Sequence, residues 1–538
     1  MQERSSSETD REASFIIKCL WPNDPWWYRL LLVLITEGAR PQQHWSHRIR
    51  AYLDMVDVSP LQRCNWHRWL ISLGVLGLAL VLLFYQLGDG SLHDWDEAIY
   101  AQVAKEILLS NTWMTLSWNG TPFFHKPPLY FWLTALTYQM IGVSELAARL
   151  WPAMFGFGVV VLTFVLGARF RSWRVGAIAA LLLLVVDRGC YGYWWNFLSL
   201  SRVGMLDSML TFWIMLAVLL VWKAERRPRL IALIGLPVGM AVMTKAWPGF
   251  LAAAIPFAFW LIAGERRSNA SSLWTVAALL AAMVILPWHL WQYALHGPPF
   301  LHEYVGINLT GRLFQTFEDN TGGPLHYLAG LRRGFSIWGY LWPLAYIWAA
   351  WQACARGNRR AWLLLTWISL PLLLFSLAQT KLGWYISMTY PAVALLLGLA
   401  LAELLTERLA LALVAAVMLV CCLRLPISAD GSQNVKQFAL QALQTVHPGE
   451  PIYVSEQVCT PQPPPLTLGP PPIPVGYIRP TMRFYIDRPL RCIEEHEVDA
   501  GRHPRNSYVI SRQQAWSRTS HRDRIVFEGH GFVLAHWD

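Results

Sequence analysis

Long apolar runs alternate with short polar connections along most of the chain. The apolar stretches fall at roughly 69–88, 147–168, 174–187, 206–222, 230–244, 247–263, 273–291, 335–353, 361–378, 384–402 and 407–424. An α-helix rises 1.5 Å per residue, so about twenty residues cross a hydrocarbon core ~30 Å thick. About eleven such runs therefore predict an all-α polytopic membrane protein. Gly and Pro interrupt several of them, so the expected count is about 11–13 transmembrane helices. Tyr191 to Ser201, rich in aromatics, reads as a short or re-entrant segment on the outer side. Residues 1–66 precede the first span as an N-terminal extension. Within it Arg29 to Thr36 is too short to cross and, with Trp26, Trp27 and Tyr28, reads as an interfacial helix. Its first sixteen residues are polar and of mixed charge, unlike a cleavable signal peptide.

Two stretches break the pattern. Between Gly88 and Trp151 the chain runs polar through Leu92-His93-Asp94-Trp95-Asp96-Glu97-Ala98-Ile99-Tyr100-Ala101, then Asn119-Gly120, then His125-Lys126-Pro127-Pro128. Ile99, Val103 and Ile107 share helical spacing, which predicts a helix from Glu97 to Leu109 lying along the interface, apolar side down. Asn119-Gly120 signals a turn, and Pro127-Pro128 suits the first positions of a second helix. The other break follows Arg424. Residues 430–538 read as a small soluble α/β domain, with a helix carrying Val435, Phe438, Ala439, Ala442, Leu443 and Val446. Strands are expected at Pro451–Ser455, Arg483–Asp487, Ser507–Ser511, Ile525–Glu528 and Phe532–His536, the last two joined by a Gly529-His530-Gly531 hairpin. Pro461 to Pro474 is a Pro-rich loop. The expected organisation is thus an extension, 1–66, a transmembrane domain, 67–425, with outer loop 89–146, and the soluble domain.

Composition agrees with a membrane protein: 55% of the 538 residues are hydrophobic and 14% charged, against about a quarter charged in soluble chains. The net charge of +10 is not a nucleic-acid footprint, because much of it lies in alternate short loops. Arg169, Arg171 and Arg174 occupy one; Lys223, Arg226, Arg227 and Arg229 another; then Arg266 and Arg267; then Arg356, Arg359 and Arg360; then Arg408. By the positive-inside rule these face the cytoplasm, which makes the N-terminus cytoplasmic and the C-terminal domain extracytoplasmic, as in an inner-membrane protein. The remaining loops carry Asp207, Lys245, Arg312, Lys381 and the histidines His93, His125, His289, His302 and His326. One charge at a span end ordinarily snorkels or anchors. Their sharing one side argues for a site. Cys421-Cys422 lie in an apolar run as small hydrophobes, and Cys459 and Cys492 are disulfide candidates in an oxidising compartment.

The motifs, taken in order, resemble those of the type C glycosyltransferases of the protein O-mannosyltransferase and lipid A aminoarabinose transferase group. Asp96-Glu97-Ala98-Ile99-Tyr100-Ala101 resembles the family's Asp-Glu-x-Arg-Tyr-Ala, and His125-Lys126-Pro127 its Glu-Lys-Pro. Leu206-Asp207 and Met243-Thr244-Lys245 are similar to its Leu-Asp and Met-Thr-Lys-Gly segments. Lys381-Leu382-Gly383-Trp384-Tyr385-Ile386 is similar to Lys-Leu-Pro-x-Tyr-Ile. The resemblance implies transfer of a hexosyl or pentosyl group, with inversion, from a polyprenyl-phosphate carrier to a lipid, protein or polysaccharide acceptor outside the cytoplasm. It leaves the cofactor open: the relative's candidate ligands for a divalent metal, a Glu and a His, are replaced by His125 and Asn308, and Ile99 stands for its Arg.

That chemistry needs a base for the acceptor hydroxyl and cations for the departing phosphate. Asp96 is the expected base, against the plainer reading that it caps its helix. Glu97 would orient the sugar or a neighbouring cation, or simply favour the helix dipole. Lys126, then Lys245 and Lys381, are expected on the donor phosphate, with Arg202 and Arg312 in reserve. His125, Tyr100 and Tyr385 are candidate sugar or phosphate contacts, Trp194, Trp195 and Trp384 candidate stacking platforms, and Asp207 is expected to pair with Arg202. No paired-histidine spacing predicts a dedicated zinc site. A transporter of a lipid-linked sugar would share the topology but need no base, and the lack of internal repeats argues against it. A non-catalytic relative is the third reading.

Overall fold

The computed structural model describes residues 66–185, 196–263, 270–316, 320–422, 432–455, 458–460, 477–486, 488, 490–499, 505–517 and 524–537. The N-terminal extension with its interfacial helix, Trp194, Trp195, Arg266, Arg267 and the Pro-rich loop lie outside the described residues. Arg68–Asp538 forms one compact unit.

Every one of the apolar runs is helical. The membrane region comprises α1 (Trp66–Phe84), α4 (Glu145–Phe170), α5 (Trp173–Leu183), α6 (Asp207–Ala224), α7 (Gly235–Lys245), α8 (Leu251–Ile262), α9 (Ala270–His296), α10 (Trp342–Arg356), α11 (Arg359–Leu377), α12 (Tyr390–Leu404) and α13 (Glu407–Cys422). Five segments are long and apolar enough to cross a membrane alone: Glu145–Phe170, Asp207–Ala224, Ser271–His296, Arg359–Leu377 and Gly383–Leu404. Local chemistry sets the boundaries. Ser144 and Ser172 accept hydrogen bonds from the backbone N–H groups of Ala147 and Val175, capping α4 and α5. α10 stops at Gly357, whose φ of 60° suits the left-handed turn that ends helices. α4 meets α5 where Gly167 faces Gly176; a Cβ at Gly167 would lie 2.7 Å from the Gly176 Cα, so only glycine permits this approach. The helices differ in surroundings: 89% of the Gly383–Leu404 window is buried inside the protein, against 17% for α9. The first is a central post, and the second presents Leu279, Met283 and Leu290 outward.

Outside the bundle, α2 (Asp96–Ser110), a two-strand hairpin of β1 (Ser117–Trp118) and β2 (Thr121–Pro122), and α3 (Leu129–Ile141) make up the 89–146 loop. Asn119 and Gly120, both at positive φ, form the hairpin turn. α3 begins one residue beyond Pro127-Pro128. The C-terminal region holds α14 (Gln433–Thr445), β3 (Ile452–Ser455), α15 (Pro480–Tyr485), β4 (Leu490–Ile493), β5 (Ser507–Arg512), β6 (Ile525–Gly529) and β7 (Phe532–Trp537). Its five-stranded sheet runs β4-β3-β5-β7-β6. β3 is parallel to β4 and β5, and β7 is antiparallel to β5 and β6. Cys459 and Cys492 form a disulfide.

Two expectations are corrected. Arg483–Asp487 is not a strand: Met482, Phe484 and Tyr485 belong to helix α15, started by Pro480 in its first turn. Nor does α2 lie on the interface with one face in lipid. Ala98, Ala101 and Ala104 share a hydrophobic core with Phe438, Met482 and Tyr485. Tyr100, Val103 and Ile107 pack on the opposite side against Phe131 and Met209. Small alanines let the C-terminal domain sit directly on α2, which is held between that domain and the bundle.

Candidate active site

Residues on both sides of Asp96 are pinned first. Glu97 is fully buried beside Arg149 of α4, with Arg149 Nε donating to Oε1 at 2.7 Å. The carboxylate also accepts from the backbone N–H of Gly204 at 2.8 Å and of His93 at 2.7 Å. Arg149 spends its other hydrogens on the carbonyls of Leu87, Asp89 and Ser91. Every partner is satisfied, which is the condition under which a buried ion pair is tolerated. Burial raises the Glu97 carboxyl, and the Arg149 guanidinium more than offsets it, so the group stays ionised. Of its two expected roles, orienting the sugar or a neighbouring cation, Glu97 takes the second: it holds Arg149 and fixes the loop in front of α2. The C-terminal domain adds a clamp. Tyr485 Oη accepts from Leu92 N–H at 2.8 Å and donates to Glu145 at 3.0 Å, and Lys105 Nζ donates to the Phe484 carbonyl.

Between these anchors Trp95 has φ 70° and ψ −128°, a conformation that costs a non-glycine residue about 1–3 kcal/mol. Trp95, not Asp96, is the capping position, and it makes no side-chain cap. Asp96 is the first helical residue and is left to face the cluster. Tyr100, one turn on, senses its charge: burial and the Asp96 charge raise the Tyr100 phenol, which stays protonated. Ala246 repeats the strain, with φ 54° and ψ −126° directly after Lys245. Two strained residues thus flank two of the expected site residues.

Around Asp96 the fold gathers charge of both signs. Arg312, directly after the segment His302–Gly311, donates to Tyr385 Oη at 2.9 Å and lies close enough to Asp96 and Tyr100 to interact with both. Lys126 senses Arg312, Asp96, Lys245 and Asp207. Loss of solvent, then the Arg312 guanidinium, bring the Lys126 ammonium down to about 7, against the opposing pull of Asp96. Lys245, at the end of α7, donates to Asp207 Oδ1 at 2.7 Å, and its ammonium lies 5.8 Å from the Tyr385 ring centroid. Ser387 also reaches Asp207 Oδ1, at 3.2 Å. Asp207 Oδ2 is buried and has no hydrogen-bond partner among the described residues. Lys126, Lys245, Arg312, Asp96, Asp207, Tyr100 and Tyr385 therefore form one cluster, drawn from five separate parts of the chain.

Other expected members are engaged elsewhere. Arg202 donates to the carbonyls of Leu82 at 2.6 Å and Tyr85 at 2.9 Å, closing the C-terminal end of α1. It is therefore neither the partner of Asp207, which is Lys245, nor turned to a donor phosphate. Lys381 caps α11 by donating to the carbonyls of Ser376 and Ala378, and the Asp96 cluster assembles without its ammonium. His125 Nε2 lies 3.0 Å from Glu303 and its ring stacks on Phe123. Glu303 comes from His302–Gly311, a π-helical segment, where the Asn308 amide turns back to the Glu303 carbonyl. His125 and Glu303 are two ligating groups; no group of three or more His, Cys, Asp or Glu suited to a metal occurs among the described residues. Arg149 and Glu303 carried no signal in the sequence beyond being charges near span ends.

The family model for dolichyl-phosphate-mannose-protein mannosyltransferase matches residues 75–297. An undecaprenyl phosphate-alpha-4-amino-4-deoxy-L-arabinose arabinosyl transferase 1 of Pseudomonas fluorescens is 30% identical over 432 residues, covering 73% of this chain and 70% of the relative. The chain belongs to the type C glycosyltransferase family of these enzymes. A second transferase of that name from the same species is 33% identical over 358 residues. Across several curated relatives, however, the chain spans only 58–62% of the relative's length. The family fold is visible in three dimensions as well. The crystal structure of ArnT from Cupriavidus metallidurans bound to undecaprenyl phosphate superposes with a TM-score of 0.69 at 17% identity, covering 86% of this chain and 97% of that one.

Proposed function

We propose that this protein transfers a sugar from a polyprenyl-phosphate-linked donor to an acceptor hydroxyl at the non-cytoplasmic face of the inner membrane. The observation that carries the reading is the cluster itself: Lys126, Arg312 and Lys245 facing Asp96 beneath the 89–146 loop. The donor's single phosphate meets Lys126 and Arg312, with Lys245 behind them, while its prenyl chain stays among the apolar helices. Cations concentrated there are worth most as the bond from the anomeric carbon to the phosphate oxygen breaks and charge gathers on the leaving group. Asp96 takes the proton from the attacking hydroxyl. Tyr100 and the strained Trp95 hold that carboxylate in place, and Asp207 keeps Lys245 aimed. Attack from the side opposite the phosphate inverts the anomeric centre. The names of the relatives support a polyprenyl monophosphate carrier with a pentose or a hexose as the sugar; the acceptor is a lipid, a protein or a polysaccharide.

The test is Asp96→Asn in purified protein supplied with polyprenyl-phosphate pentose and hexose donors. Loss of transfer with donor binding retained is expected. Transfer at the wild-type rate would remove Asp96 from its role, whereas no transfer by the wild-type protein itself would leave transport of the same lipid as the better reading.

A further inference from the structure

The opposite end of the bundle holds a second charged recess. It has a volume of about 930 Å³ and is lined by seven cationic side chains and one carboxylate, Glu225. Lys223 lies in the last turn of α6, and Arg226 and Arg227 follow it; Arg356, Arg359 and Arg360 bracket the α10–α11 connection; Arg169 closes α4. The single carboxylate is 3.5 Å from Arg359 and cannot balance the rest. A smaller lobe of about 160 Å³ shares Gln352, Arg356, Asn358 and Arg360 with the first. α11 begins at the rim, so its dipole adds positive potential.

Orientation in the membrane requires basic loops but not their convergence on one cavity. The smaller lobe differs, because Arg171 and Glu403 also line it and Arg171 is neutralised there by Glu403 and Glu407. The recess is also amphipathic. Leu220, Trp222 and Leu230 line it, and Leu233 and Leu236 continue outward from Leu230, 44% and 45% exposed. Arg356 lies over the ring of the half-exposed Trp351, 4.3 Å from its centroid, as at a headgroup boundary. Dense positive charge beside outward-facing apolar helix surface suits an amphiphile with phosphate at one end.

We propose that this recess binds the headgroup of an anionic phospholipid carrying two phosphates, both held among the cations of the larger lobe, with its acyl chains along Leu230, Leu233 and Leu236. The site is separate from the Asp96 cluster, and its occupancy does not depend on the transferase reading. The experiment uses full-length protein in mild detergent, with lipid retention read by native mass spectrometry and by thermal shift. The additions are cardiolipin, phosphatidylglycerol, phosphatidylethanolamine and inorganic pyrophosphate. Cardiolipin is expected to be retained and to raise the melting temperature more than phosphatidylglycerol, with phosphatidylethanolamine and pyrophosphate near baseline. Arg227→Gln/Arg356→Gln/Arg360→Gln should weaken cardiolipin binding at least tenfold while sugar transfer stays within twofold of wild type. Arg356→Lys/Arg360→Lys keeps the charge that orients the chain, loses the guanidinium forks, and should weaken binding several-fold. If the Gln variant fails to fold, the Lys variant decides. Equal retention of cardiolipin and phosphatidylethanolamine, or unchanged binding in the Lys variant, overturns the proposal. Protection by pyrophosphate equal to that by cardiolipin would make it a soluble-anion site and overturn the lipid assignment.

Discussion

Asp207 and Lys223 sit on one helix, α6, about 24 Å apart by helical rise, in contrasting surroundings. At the Asp207 end cations and carboxylates are interleaved: Lys245 on Asp207, Arg312 and Lys126 about Asp96, Arg149 on Glu97. At the Lys223 end cations crowd a recess with a single carboxylate. The first arrangement holds side chains in fixed positions in a place where water is scarce, and two strained residues show that the fold keeps them there. The second leaves charge uncompensated and open to an outside anion. One end is built to position reacting groups and the other to attract a counter-charge.

The sharpest way to break the comparison is through Glu97 and Arg149. Arg149→Met leaves a buried carboxylate without its cation, and a loss of about 3–5 kcal/mol is expected, read as a collapsed melting temperature and poor extraction from the membrane. A stable variant would show that the loop before α2 is not held by this pair. The neighbouring carboxylate should behave differently. Asp96→Asn is expected to lower kcat by about 10²–10⁴ with an unchanged melting temperature, so adjacent acids separate a fold effect from a chemical one.

Lys126 sharpens the picture through pH. With its ammonium lowered to about 7, it is charged below that value and neutral above it in the free protein. A bound phosphate favours the charged form and raises the value. Donor affinity should therefore be highest below pH 7 and fall as pH rises toward the bound-state value, by up to roughly tenfold per unit. Lys126→Arg should flatten the profile; a profile that keeps its shape would assign the titration elsewhere. Tyr385→Phe removes the hydroxyl that Arg312 donates to at 2.9 Å. Its effect should be about 1 kcal/mol, a several-fold rise in donor KM with kcat little changed. The smallest effect on transfer belongs to the Arg-rich end, where Arg227→Gln should leave kcat and KM within twofold in detergent. A large loss of rate there would mean that the two ends are coupled through α6.

Eleven helices were readable because a hydrocarbon core selects for long apolar runs and nothing else in the chain resembles them. The short motifs around Asp96 and Lys126 were readable as polar sequence between spans, and those at Asp207 and Lys245 because each sits at a span end. Partnership was not. Arg202 lies five positions from Asp207 and looked like its counter-ion, yet the turn before α6 sends the guanidinium back to α1. Lys245 reaches Asp207 because α6 and α7 pack side by side, which no local pattern encodes. The alanines of α2 read as neutral filler, when they are the contact surface for the C-terminal domain.

By itself the sequence determined which segments are helical and that acids and bases gather at span ends, since both follow from the free energy of placing a side chain in lipid or in water. Tertiary structure alone decided which charges meet, because burial makes a charge seek the nearest partner in space, and that neighbour is set by helix packing. Glu97 became a pillar and Asp96 a member of the charged cluster for that reason, although they are consecutive in the chain.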